Sequence, residues 1–134
     1  MPPAKKLRIA TIQRGRAEFA VPKQQLRAAF QLTFGRHFLV TRISIVEGDA
    51  GQRYLVARGR GHEKDGSIVT RFPLGKRGST LTLDMKGRGE SCSGNPCRHC
   101  AFAKGGGCKC KSSSSFGICN HTISRLTNFK FLVS

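Results

Sequence analysis

Six cysteines fall between Cys92 and Cys119, with His99 among them and His121 two residues beyond the last. The run reads Cys92-Ser-Gly-Asn-Pro-Cys97-Arg-His99-Cys100, then Cys108-Lys-Cys110, then Cys119-Asn-His121. Close spacing between tight-turn residues brings soft ligands together, and Cys97-x2-Cys100 is a bite that lets two thiolates converge on one metal ion. The spacing therefore predicts one or two Zn²⁺ held by most of Cys92, Cys97, Cys100, Cys108, Cys110, Cys119 and His121. His99, set between two ligating positions, is expected to point outward.

Two other chemistries use the same residues. Cys92-x4-Cys97-x2-Cys100 resembles the plant-type ferredoxin spacing, which implies an iron–sulfur electron carrier, but Cys108, Cys110 and Cys119 come too early for the fourth ligand of that pattern. Disulfides are the other choice. Cys108 and Cys110 lie too close to pair with each other, so each needs a more distant partner, and such pairing suits an extracellular or virion-exposed protein. Pro96-Cys97-Arg98-His99-Cys100 also resembles the Pro-Cys-x-x-Cys half of the zinc nucleobase deaminases. Its His-x-Glu half is absent, since His62 and Glu63 are adjacent. No other catalytic signature is present, and no enzymatic activity is expected.

The charge around the cysteines points to a partner with phosphates. The 134-residue chain has a formal net charge of +17. Residues 1–91 carry 18 Lys and Arg against all 7 acids, and residues 92–134 carry 6 against none. Of the 24 basic residues 14 are Arg, whose planar fork matches phosphate. A basic strand face is often only solvated. Here the expectation is nucleic acid, DNA or RNA, bound mainly through its backbone.

The elements that position these residues are legible upstream. Pro22 suits the first turn of a helix and Gly35 its end, with Leu26, Ala29, Phe30, Thr33 and Phe34 on one face. From Phe38 to Met85 the pattern has period two, broken at 47–51, 61–66 and 74–78, which predicts four antiparallel strands in a meander. Pairing Val46 with Gln52, Arg60 with Ser67 and Pro73 with Thr80 puts Ile43, Ile45, Leu55, Ala57, Ile68, Phe72, Leu81, Leu83 and Met85 on one face. Arg42, Tyr54, Arg58, Arg60 and Arg71 share the other. These five, with Lys109 and Lys111, are the candidate nucleic-acid contacts. Tyr54 is a lone aromatic there, so backbone contact should dominate over base stacking. Segments 7–12 and 129–133 read as further strands of unassigned partner.

The fold class expected is thus α+β: one amphipathic helix on a four-stranded antiparallel meander (1–89), followed by a small zinc-stapled module (90–134). The 38% hydrophobic content argues against a disordered polycation. The N-terminus lacks the apolar stretch of a secretory signal, which suggests a cytoplasmic or nucleoid-associated protein. The expected function is a zinc-containing basic protein binding nucleic acid. The alternative is a structural component of a virion or ribonucleoprotein whose cysteine module fixes a protein contact.

Overall fold

A computed structural model describes residues 6–34, 38–61, 67–84, 88–94, 99–103, 107–111 and 119–125. Among them are ten strands and one α-helix: β1 (Lys6–Gln13), β2 (Arg16–Phe19), α1 (Lys23–Phe34), β3 (Phe38–Glu47), β4 (Arg53–Gly61), β5 (Ser67–Arg77), β6 (Thr80–Asp84), β7 (Arg88–Gly94), β8 (Cys100–Phe102), β9 (Cys108–Cys110) and β10 (Cys119–Arg125). Met85, Cys97, the segment 129–133 and the side chains of Thr33 and Phe34 lie outside the described residues.

The hairpins follow from local chemistry. β1 and β2 meet through Arg14 and Gly15, both at positive φ (53° and 77°), so two residues reverse the chain with the twist that paired strands require. Gly15 tolerates this without a Cβ penalty. The β3, β4 and β5 strands form a meander, with Val46 opposite Tyr54 and Arg60 opposite Ser67. The β3–β4 register is two residues away from the expected one and keeps its parity. The expected faces therefore survive: Ile43, Leu55, Ala57, Phe72, Leu81 and Leu83 are buried in one core, with Ile45 and Ile68 packed against it.

The fourth strand overturns the expected architecture. β6 forms a hairpin with the end of β5, from Gly75 to Arg77, and then pairs along β1, with Lys6 opposite Asp84 and Leu7 opposite Leu83. β7 takes the place beside Ser67–Arg71 of β5, and β10 pairs with β7. β5 is thereby shared between two sheets, β5-β6-β1-β2 and β3-β4-β5-β7-β10, which join into one eight-stranded, nearly closed barrel-like sheet. The fold is mostly β, and a helix on a four-stranded meander is not what forms. Two features account for the difference. β1 supplies apolar residues, Leu7, Ile9 and Ala10, that need a partner sheet, and β7 and β10 are polar, Ser- and Cys-containing strands whose pairing is dictated at long range.

Helix α1 begins as expected, with the amides of Gln25 and Leu26 bonded to the Pro22 carbonyl. It buries Leu26, Ala29 and Phe30, and the Phe30 ring meets Phe72 at 5.8 Å between centroids. The Oε1 atom of Gln31 accepts the Val40 amide at 2.8 Å, so the helix satisfies a backbone donor of the outer strand β3. The inner faces of both sheets thus converge with α1 on one core.

Candidate nucleic-acid interface

Register fixes which side chains share the outer face of the β3-β4-β5-β7-β10 sheet. Successive cross-strand rows are Val46, Tyr54 and Pro73; then Ser44, Val56, Arg71, Glu90 and Ile123; then Arg42, Arg58, Val69, Cys92 and His121. The β8–β9 hairpin, paired Cys100 to Cys110 and Phe102 to Cys108, lies on this face.

Disulfides hold it there. Cys92 is bonded to Cys108 and Cys100 to Cys119, with Cα separations of 5.7 and 5.9 Å, and Cys110 is disulfide-bonded as well. This corrects the expected zinc module. A sulfur in a disulfide is not the thiolate that zinc or an iron–sulfur cluster needs, and Cys100, half of the expected Cys-x2-Cys bite, is committed to Cys119. Among the described residues no group of three or more His, Cys, Asp or Glu could hold a metal ion. His121, the remaining expected ligand, lies 3.4 Å from Glu90, and His99 is exposed. Cys97 lies outside the described residues.

Under the hairpin a second apolar cluster forms from Val56, Val69, Cys92 and Cys100, with Tyr54, Phe102, Cys108, Cys110 and Cys119 packed against it. Arg71 is built into it. Its guanidinium lies between the Tyr54 and Phe102 rings, 4.4 and 4.1 Å from their centroids, and its Nε donates to Glu90 Oε2 at 2.7 Å. Burial acts to raise the Glu90 pKa, but the hydrogen bond and charge of Arg71, with His121 beside it, hold it below the usual carboxylate range. Of the expected contact residues, Tyr54 and Arg71 therefore spend most of their surface inside the protein. Phe102 and Glu90, which complete that stack, were not singled out from sequence. Phe102 stands two residues from Cys100, so it shares that cysteine's side of a short strand, and this is the signal that could have placed it.

The remaining arginines are arranged differently. Arg42 and Arg58 are directly opposite each other on β3 and β4. Arg58 is half-buried and its Nη1 donates to the Cys100 carbonyl at 3.3 Å, which fixes the fork against the hairpin. Burial and then the charge of Arg42 lower the Arg58 pKa from its ordinary value. Like charges opposite each other on adjacent strands disfavour the pairing. Among the described residues no carboxylate lies within ion-pair distance of Arg42, Arg58 or Arg60. Arg42 and Arg60 are exposed, as are Lys109 and Lys111, with Lys109 on the side of the hairpin turned away from the cysteine cluster. The arrangement can receive an anion without first breaking an ion pair.

No family model, curated protein or solved structure matches this chain.

Proposed function

We propose that this chain is a disulfide-braced β-domain that binds DNA or RNA through phosphates, with Arg42, Arg58 and Arg60 as the centre of the contact and Lys109 and Lys111 at its margin. The observation that carries this reading is the unneutralised pair Arg42 and Arg58, held face to face by strand register with one guanidinium anchored to the Cys100 carbonyl. Two forks side by side suit the tetrahedral oxygens of a phosphate better than a single carboxylate. The aromatic surface nearby is taken up by Arg71, so base stacking contributes little and sequence preference should be weak.

Binding to a labelled duplex and to a single strand of mixed sequence tests this. Arg42→Ala with Arg58→Ala should weaken binding to many sequences alike and reduce the salt slope by about one unit per lost phosphate contact. Affinity unchanged by salt and by both substitutions would remove the reading. The second reading, a component of a larger assembly, is favoured by the disulfides, which persist in oxidising surroundings such as a virion or cell exterior. Binding to an acidic protein neighbour, and to no nucleic acid at low salt, would put it first.

A further inference from the structure

The outer face of the other sheet, β5-β6-β1-β2, has its own pattern. Inward-facing Leu7, Ile9, Leu81 and Leu83 meet Leu55 and Phe72 of the first sheet in one core, so the two outer faces point away from each other. The register sets Arg8 beside Thr82 and Gly75, and Thr11 beside Thr80 and Arg77. Arg8 and Arg77 are exposed, and the space above Gly75 is filled by the Thr82 hydroxyl, whose oxygen would stand 3.0 Å from a Cβ placed there. The middle of this face thus presents two guanidiniums among three threonine hydroxyls, groups that contact phosphate. Two acids flank it: Asp84 opposite Lys6, and Glu18 opposite Thr11 on the edge strand β2, while Arg8 and Arg77 stand on β1 and β5.

We propose that this face is a second phosphate-binding surface, and that one copy of the domain bridges two nucleic-acid segments, one on each outer face. This rests on the phosphate-binding reading of the first face and adds to it a second, separately placed contact. Packed sheets lie about 10 Å apart, so segments on opposite faces are kept separate by the core between them.

Donor-labelled and acceptor-labelled short duplexes, mixed with the intact oxidised protein, report bridging by energy transfer, while anisotropy on one duplex reports simple binding. Wild-type protein should give transfer that rises and then falls as excess protein saturates each duplex singly. Arg8→Ala with Arg77→Ala should cut the transfer at least about fivefold while moving the affinity for a single duplex less than about threefold, because each face neutralises its own phosphates. Arg8→Lys with Arg77→Lys should restore it, and far-UV circular dichroism should be unchanged throughout, since both sites are exposed. Transfer that persists in the Ala variant, as dimerisation through one face would give, overturns bridging. So does normal binding by wild-type protein with no transfer. Failure of wild-type protein to bind even one duplex overturns the first-face reading, and bridging with it.

Discussion

Glu90 and Gly89 are adjacent on β7 and constrained for opposite reasons. Glu90 faces outward and its carboxylate pairs with Arg71, with the His121 ring beside it. Its folded-state pKa is depressed, so the stability it contributes is fully present above the unfolded value and is lost as pH falls through the folded one. Urea unfolding should therefore show a loss that begins below about pH 4.3. Glu90→Gln should remove that component and cost about 1 kcal/mol at neutral pH, a figure reduced because a third of the side chain is in solvent. Gly89 faces inward beneath Phe72. A Cβ there would stand 2.5 Å from two atoms of the Phe72 ring and 2.6 Å from the Arg71 carbonyl oxygen. Gly89→Ala should accordingly destabilise the fold by about 2 kcal/mol, visible as a lower urea midpoint with an unchanged slope. If the variant is as stable as wild type, Phe72 does not pack where the structure has it.

At the level of the element, the β8–β9 hairpin has two three-residue strands and depends on covalent bonds to stay in place. Cys92→Ser with Cys108→Ser opens a link between residues 16 apart and should cost about 3 kcal/mol. Hydrogen exchange should quicken first at 100–110, while the core amides of β4 and β5 keep their protection. Denatured, non-reduced protein should show no reactive thiol. Peptide mapping should recover Cys92–Cys108 and Cys100–Cys119, with Cys110 in a further disulfide. What sequence could reveal divides along the same line. The parity of β3, β4 and β5 was readable because hairpin loops and alternating Ile, Leu and Arg fix one another locally, and α1 because Pro22 and its apolar stripe mark it. The strands β7 and β10 were not, because Arg-Gly-Glu-Ser-Cys-Ser-Gly has no apolar alternation and takes its place from the Thr70–Ser91 hydrogen bond, the Arg71–Glu90 pair and the disulfides. Cysteine spacing alone also does not separate thiolate from disulfide. Cys92 and Cys108 stand far apart along the chain and are brought together only by β7 and the hairpin.

For the whole molecule, a face of four candidate arginines loses one, Arg71, to internal packing. Arg71→Ala should therefore behave unlike Arg42→Ala: it should lower stability through the lost stack between Tyr54 and Phe102, whereas Arg42→Ala should weaken binding and leave thermal stability within about 0.5 kcal/mol or raise it by relieving Arg58. Comparing melting curves with binding curves for the two variants separates the roles. The pairing of β1 with β6 has a consequence of another kind, for the order in which the chain acquires its shape. Strand β1 finds its second partner only when Thr80–Asp84 has been synthesised, so the earlier β1–β2 hairpin waits with Leu7 and Ile9 uncovered and one backbone edge open. Contacts between such distant parts of a chain form slowly, and an open apolar edge is a template for a neighbouring nascent chain. Yield on refolding should thus fall with protein concentration, and a chain truncated before Thr80 should be the form that self-associates.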